Sequence, residues 1–176
     1  MKRLLLIVLP LLLIVGCSKP ISEETLIDKD GLKYHPDTKE LFSGKVYSNH
    51  MGENKKIEGS YKDGKKDGLL IRWYKNGQKF REGTWKDGKS DGLSTLWYDN
   101  GQKWSERTYK DGKEDGLWTR WYDNGKKRFE GTYKDEERDG LWTLWYDNGQ
   151  KQSEKTFKDG KRISIKEWNE DGSVKE

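Results

Sequence analysis

Four glutamates recur at a constant step in this chain, and their type and spacing raise the question of catalysis. They are Glu82, Glu106, Glu130 and Glu154, each 24 residues after the last. If each step advances two β-strands, neighbouring carboxylates lie about 9–10 Å apart, close to the separation in inverting glycosidases. An acid and a base need different surroundings, whereas these positions repeat the same ones. The pattern instead predicts cross-strand pairing with the lysines Lys79, Lys103, Lys127 and Lys151.

Other reactive arrangements are absent from the sequence. His35 and His50 are the only histidines, and neither has the neighbours that a catalytic triad or a zinc site requires. The Asp-Gly and Asn-Gly pairs do not have the spacing of a calcium loop, and there is no phosphate-binding Gly-x-x-x-x-Gly-Lys segment. We therefore expect no catalytic residue, no metal and no cofactor, and an enzyme is the least favoured class.

The N-terminus has the order of a secretory signal. Lys2 and Arg3 precede an apolar run from Leu4 to Val15, which is shorter than the roughly 20 residues of a membrane-spanning helix and contains Pro10. The run ends in Ile14-Val15-Gly16-Cys17, which resembles a bacterial lipobox. That resemblance implies export, cleavage before Cys17 and lipidation of its thiol. The alternative is an uncleaved anchor.

Cys17 is the only cysteine, so the chain has no intramolecular disulfide. The lipid on Cys17 would attach the protein to a membrane of the bacterial cell envelope. Ser18 follows it, and by resemblance to sorted lipoproteins the absence of Asp there favours the outer membrane or cell surface.

Charge and composition limit the kinds of molecule that this chain is expected to bind. Removing Lys2 and Arg3 from the 35 basic residues leaves 33 against 31 acidic ones, a formal charge of +2. Acids and bases alternate along the chain, which argues against a nucleic acid, because nucleic-acid binders concentrate basic residues on one face. Nine Trp and nine Tyr argue against disorder as well.

A repeat organises the chain. Segments that open with an aromatic residue and Lys-Asp begin at 24-residue steps, at Tyr61, Trp85, Tyr109, Tyr133 and Phe157. We predict two strands in each copy, Leu69 to Tyr74 and about Lys79 to Lys86 in the first. Asn76-Gly77 and its equivalents predict two-residue hairpin turns, and the Lys-Asp-Gly-Lys-x-Asp-Gly segment predicts a looser return turn.

The repeat divides the chain into five segments. We expect four full copies at 61–156 between atypical terminal units, because the ends of a stack must face water. The predicted segments are a signal peptide at 1–16, a lipidated N-terminus and flexible tether at 17–30, a degenerate cap at 31–60, the four repeats, and a truncated cap at 157–176.

Three blocks carry a family resemblance: Trp121-Tyr122-Asp123-Asn124-Gly125, Glu130-Gly131-Thr132-Tyr133 and Asp139-Gly140-Leu141-Trp142. With them the chain resembles the MORN-repeat superfamily, and more closely its bacterial variant, over about residues 32–176. The resemblance implies an all-β fold, an elongated single-sheet antiparallel β-meander or solenoid of stacked hairpins. Many bacterial members are lipoproteins, and some carry the label of YwqK-type toxin–antitoxin system antitoxin.

Strand alternation divides each hairpin into two faces. With a two-residue turn, or a four-residue loop of the same parity, Trp73 lies opposite Phe80 and Leu69 opposite Thr84, while Tyr74 points to the other face. A three-residue turn would reverse the faces of the second strand. On that other face, Gly131 would lie across from Trp118, leaving room for its indole. Aromatic ladders also stabilise a sheet without a deep core, so the rings have a structural interpretation too. We predict that the candidate binding residues are Tyr74, Tyr98, Trp118, Tyr122, Trp142 and Tyr146.

Three functions remain open. The first is a protein-binding or scaffolding module at the cell envelope. The second is binding of cell-wall polysaccharide, because aromatic hairpin repeats also resemble cell-wall-binding repeats. The third is contact with lipid headgroups through the lysines of the turns, which the interspersed aspartates weaken.

Overall fold

The computed structural model describes residues 19–52 and 54–176, so the predicted signal peptide and Cys17 lie outside the described residues. Apart from a short 3₁₀ helix at Glu23–Thr25, the regular elements are all strands. In chain order they are β1 (Ile21–Ser22), β2 (Ile27–Lys29), β3 (Leu32–Tyr34), β4 (Gly44–Asn49), β5 (Lys55–Lys62), β6 (Lys65–Lys66), β7 (Gly68–Trp73), β8 (Lys79–Lys86), β9 (Lys89–Trp97), β10 (Lys103–Lys110), β11 (Lys113–Trp121), β12 (Lys127–Lys134), β13 (Glu137–Trp145), β14 (Lys151–Lys158) and β15 (Lys161–Glu167).

Thirteen strands form one open sheet in which chain neighbours are sheet neighbours from β7 to β15. Every pair in that stretch is antiparallel, so the sheet is a file of hairpins. This confirms the predicted all-β fold. The N-terminal end adds two features: β1 pairs with β4 in parallel, and β2 and β3 form a separate two-stranded sheet.

The Asn-Gly turns are three-residue loops, which is the alternative that the sequence left open, and not two-residue turns. In the first repeat the Gly77 N–H donates to the Tyr74 carbonyl (3.0 Å), and the Tyr74 N–H donates to the Gln78 carbonyl (2.8 Å). Gly77 has a φ of 84°, whereas Asn76 is not left-handed. Asn76 Oδ1 instead accepts the Gln78 N–H (3.0 Å), which favours a type I turn followed by a glycine bulge.

A β-bulge restores the faces that this odd-numbered loop would otherwise reverse. Arg72 pairs with Arg81 but Trp73 pairs with Lys79, so Phe80 is an extra residue on β8. The predicted pairing of Trp73 with Phe80 was therefore wrong. Because the loop and the bulge each shift the register by one residue, the predicted pairing of Leu69 with Thr84 is confirmed.

The return turns are tighter than predicted. Asp87 and Gly88 are the only residues between the paired Lys86 and Lys89, and both have positive φ, 49° and 81°. This is the backbone of a type I′ hairpin, whose twist matches that of the flanking strands. The following Ser-Asp-Gly, predicted as part of a loose turn, lies in β9.

Hydrogen bonds join successive repeats along both borders of the sheet. At the return turns the Gly112 N–H donates to the Ser90 carbonyl (2.8 Å). At the opposite border the Asn76 side-chain amide donates to the Asp99 carbonyl (2.8 Å), and its equivalents do the same. Each Asn therefore closes its own loop and contacts the next one.

The N-terminal segment packs on the first strands of the sheet. Leu26 is only 7% exposed and belongs to a core with Phe42, Val46 and Tyr61, against which Ile21 packs. Residues 21–30 thus include two short strands and a core leucine. The flexible tether predicted for residues 17–30 therefore does not extend to residue 30.

Candidate binding surfaces

The two faces of the sheet differ in how they vary between repeats. One face, here called the uniform face, has Leu opposite Thr, Thr opposite Glu, and Trp opposite Lys in successive hairpins. The other, here called the variable face, changes from repeat to repeat: one position holds Leu70, Ser94, Trp118 and Trp142, and another holds Arg81, Ser105, Phe129 and Ser153. One side of the sheet therefore repeats its residue types, whereas the residue types on the other side change from repeat to repeat.

The glutamate column of the uniform face forms ion pairs with the lysine column. The Lys Nζ to Glu Oε distances are 2.5–2.6 Å for Lys79–Glu82, Lys103–Glu106, Lys127–Glu130 and Lys151–Glu154. The partners agree with the prediction, but each pair lies within one strand, not across two. Residues three apart in a regular strand point to opposite faces, and the bulge after each lysine brings them to the same face.

The same lysines cover the tryptophans of the next repeat. Lys79 Nζ lies 5.5 Å from the centre of the Trp97 ring, and Lys103 Nζ lies 5.8 Å from that of Trp121. Thr119 donates to Glu130 Oε2 (3.2 Å), so each carboxylate sits in a repeated set of contacts. This repetition leaves no pair of glutamates with the contrasting surroundings that acid–base catalysis requires.

The four predicted binding tyrosines bridge adjacent repeats through their hydroxyl groups. Each hydroxyl donates to a backbone carbonyl in the next repeat at 2.8–3.0 Å: Tyr74 to Trp97, Tyr98 to Trp121, Tyr122 to Trp145 and Tyr146 to Trp168. The sequence interpretation missed this role, because the acceptor lies 22 or 23 residues away. The hydroxyls are therefore already engaged within the protein.

The two predicted tryptophans meet in an aromatic cluster on the variable face. Trp118 and Trp142 have ring centres 6.0 Å apart, nearly perpendicular, and both contact Phe129 and Tyr133. Trp142 is only 4% exposed, so it belongs to the core and offers almost no surface to a partner. Trp118 does lie opposite Gly131 as predicted, but the indole that covers Gly131 is that of Trp142.

Beside this cluster lies a groove lined by arginines, which sequence reasoning missed. We call it the arginine groove; its volume is about 290 Å³. The lining residues are Arg81, Ser94, Leu96, Trp104, Ser105, Arg107, Tyr109 and Arg120. Burial lowers the pKa of the Arg81 guanidinium, and the positive charges of Arg72 and Arg107 lower it further. The one available sequence signal was the variation at these positions between repeats.

A larger hollow, about 530 Å³, lies between the N-terminal segment and the first repeat. Its wall mixes carboxylates, including Glu23 and Asp28, with basic groups, including Lys66 and Arg72. The Tyr61 hydroxyl donates to Glu23 Oε1 (2.8 Å), and burial together with this carboxylate raises the pKa of Tyr61. The wall of this hollow therefore contains both acidic and basic side chains.

The described residues contain neither a metal-binding cluster nor a membrane-spanning helix. Within residues 19–52 and 54–176, no three His, Cys, Asp or Glu side chains are grouped closely enough to hold a metal ion. In the same part of the chain, no helix combines the length and the hydropathy needed to cross a membrane.

Comparison with known proteins identifies the repeat. The model of the MORN repeat variant matches four segments whose starts are 24 residues apart: 66–87, 90–111, 114–135 and 138–159. No curated protein matched the chain, so the antitoxin label remains a prediction. Because the four 22-residue matches cover 88 of the 176 residues, the chain belongs to the MORN repeat variant family.

Proposed function

We propose that this protein is a non-enzymatic binding or scaffolding module of the bacterial cell envelope, and that its uniform face contacts a partner protein. A file of MORN-type hairpins is consistent with a repeat-based binding or scaffolding module. The observation that carries the choice of surface is a row of half-exposed leucines. Leu69, Leu93, Leu117 and Leu141 are 49%, 52%, 50% and 53% exposed.

These leucines form one continuous row. Each lies opposite a Thr of the following strand, as in the pairs Leu93–Thr108 and Leu117–Thr132, and successive leucines are two strands apart, about 9–10 Å. Half-exposed side chains add little to the core, yet every repeat has leucine here. A contiguous apolar row on a folded surface is typical of a protein interaction site.

The surroundings of the row support a protein partner. Next to the row, Glu106 lies opposite Thr95 and pairs with Lys103, and such Lys–Glu pairs supply a polar margin, which is the usual arrangement of an interface with an apolar centre. A saccharide would need open aromatic faces to stack on, whereas lysine ammonium groups cover Trp97, Trp121 and Trp145. Polysaccharide binding therefore has less support.

A photo-crosslinking experiment in intact cells tests the leucine row. A photoreactive residue at Leu117 should capture one defined partner, and Leu93→Ser with Leu141→Ser should abolish that capture. The fully exposed Met51, outside the row, provides the control: Met51→Ser should leave the capture unchanged. Equal capture by the double variant, or capture by purified peptidoglycan in place of a protein, would contradict the proposal.

The membrane attachment has its own test. We expect Cys17 to carry the lipid, because it ends the lipobox-like segment. Cells fed a clickable palmitate analogue should label the wild-type protein and sediment it with membranes. Cys17→Ala should lose both the label and the sedimentation, while Ser18→Ala should keep them. Full labelling of Cys17→Ala would rule out this anchor.

A further inference from the structure

The arginine groove exists because two large aromatic side chains are replaced by serines. Ser94 occupies the position that Trp118 and Trp142 hold in the later repeats, and Ser105 occupies the position of Phe129. In the later repeats those rings pack against one another and fill the variable face. The small serines instead leave a hollow across strands β8 to β11.

Carboxylates of the described residues do not neutralise all of the positive charge in the groove. Of its three arginines, Arg107 is paired with Glu114 at 2.5 Å. Arg81 and Arg120 have no carboxylate within 4 Å among the described residues and instead lie over aromatic rings. The rings do not neutralise the guanidinium charge, so the N–H groups of these two arginines can still bind an anion.

Two buried polar atoms of the groove have no hydrogen-bond partner among the described residues. They are Ser94 Oγ and Arg120 Nε, and Ser94 is only 3% exposed. Buried polar atoms are almost always paired in folded proteins. Ser48 Oγ and Arg72 Nε, outside the groove, are unpaired as well, so this feature is not specific to the groove. Ser105 Oγ accepts the Trp118 indole N–H (3.0 Å), which leaves its own hydrogen to donate.

This set of groups specifies the chemistry of the ligand. The guanidinium N–H groups are donors only, so the matching group is one that only accepts, an oxyanion. Leu96 and Trp104 give the hollow an apolar wall that suits a short aliphatic stem. The groove occurs once, so it recognises one group and not a polymer with a charge on every unit.

We propose that the arginine groove binds an aspartate or glutamate carboxylate on an acidic peptide segment of a partner protein. Guanidinium N–H groups of Arg81 and Arg120 hold the carboxylate, and the methylene stem lies against Leu96 and Trp104. This site is on the face opposite the leucine row, so it is a second contact beyond the proposed function.

A binding experiment with a defined peptide tests this site. The probe is a fluorescein-labelled peptide of alternating Gly and Glu, titrated with the full chain in zwitterionic detergent and followed by fluorescence anisotropy. Arg81→Gln with Arg120→Gln should weaken saturable binding about tenfold or more, because charged hydrogen bonds are lost. Lys161→Gln with Arg162→Gln removes the same charge from the exposed strand β15 and should leave the affinity nearly unchanged.

A second variant closes the groove without removing charge. Ser94→Trp places an indole beside Gly83, which reproduces the arrangement of Trp142 over Gly131. It should therefore fold, as far-UV circular dichroism can verify, and should abolish peptide binding. Leu93→Ser with Leu117→Ser should bind the peptide normally, which separates this site from the leucine row.

Four results would overturn the proposal. They are unchanged affinity in Ser94→Trp, equal loss in the β15 control, equal binding of a Gly-Gln peptide, and displacement of the Glu peptide by inorganic phosphate at the same concentration as unlabelled peptide. The first two would remove the groove as the site, and the last two would remove the carboxylate as its ligand.

Discussion

Individual side chains in this protein act between repeats more than within them. The tyrosine beside each Asn-Gly loop donates to a carbonyl of the next repeat, and the lysine after each loop covers the next tryptophan. A thin sheet has little interior, so such directional contacts replace the apolar burial of a globular core. The residue type at a repeated position is therefore explained by its neighbour one repeat away.

Removal of one tyrosine hydroxyl tests this role. Tyr122→Phe deletes the bond to the Trp145 carbonyl (2.8 Å) and should lower the free energy of unfolding by about 0.5–1.5 kcal/mol, measured by urea denaturation. Tyr47→Phe is the control, because Tyr47 is 43% exposed and its hydroxyl has no hydrogen-bond partner among the described residues. An equal effect of the two substitutions would show that the inter-repeat bond adds no stability.

Gly131 tests the packing of the aromatic cluster. A Cβ atom at this position would lie 2.2 Å from Trp142 Cδ2, so Gly131→Ala should cost about 1–3 kcal/mol of unfolding free energy. In a Trp142→Ser background the same substitution should cost close to nothing, because the clash is gone. A double-mutant cycle by chemical denaturation measures the coupling. Additive effects would contradict the close approach of this ring.

Among the structural elements, two kinds of turn alternate along the chain, and together they set the register of the strands. The Asn-Gly loops have three residues and are followed by a bulge, whereas the Asp-Gly turns have two residues with positive φ. Together they return the chain to the same face after every repeat. One turn departs from the pattern: Glu136 replaces the glycine and still has a φ of 69°.

The unusual turn at Glu136 predicts a gain in stability. Left-handed backbone is unfavourable for residues with a Cβ, so Glu136→Gly should raise the unfolding free energy by about 0.5–1 kcal/mol. The ion pair with Lys113 is exposed and contributes little against this. Gly112→Glu, the reverse change in the preceding repeat, should lower the unfolding free energy by a similar amount. Thermal and urea denaturation measure both, and a destabilised Glu136→Gly would refute the argument.

At the scale of the whole molecule, the sheet is nearly one-dimensional. Strands from β8 onward pair only with their neighbours in the chain, so each repeat is held by the repeats before and after it. The number of repeats can therefore change without changing the fold, and it determines how many leucines the row contains. The arginine groove lies in the central repeats, where it is flanked by hairpins on both sides.

Removal of one whole repeat tests this modularity. Deletion of residues 103–126 joins Gln102 to Lys127 and preserves the 24-residue step. We expect a folded protein with a single urea transition and a smaller m-value, because less surface is buried. Deletion of 104–126, one residue fewer, shifts the register and moves side chains to the wrong face, so it should lose most of its stability. Equal stability of the two deletions would contradict the strict period.

The all-β fold, the 24-residue hairpin step and the residues that make the turns were predictable from the sequence. The sequence also identified the Lys79–Glu82 type of pair and the pairing of Leu69 with Thr84. These features follow from local rules, namely strand alternation, turn chemistry and exact repetition along the chain. Local rules operate over a few residues, so a pattern in the sequence is sufficient to reveal them.

The three-dimensional structure was needed to establish the bulge after each loop, the acceptors of the tyrosine hydroxyls, the ring over Gly131 and the arginine groove. The bulge depends on how a loop closes, and sequence alone left its two-residue and three-residue forms open. The other features depend on which side chains face one another across strands of neighbouring repeats. Ser94 contributes to a groove only because Arg81 lies on the adjoining strand and Arg120 two strands away, and that arrangement follows from the register of the sheet.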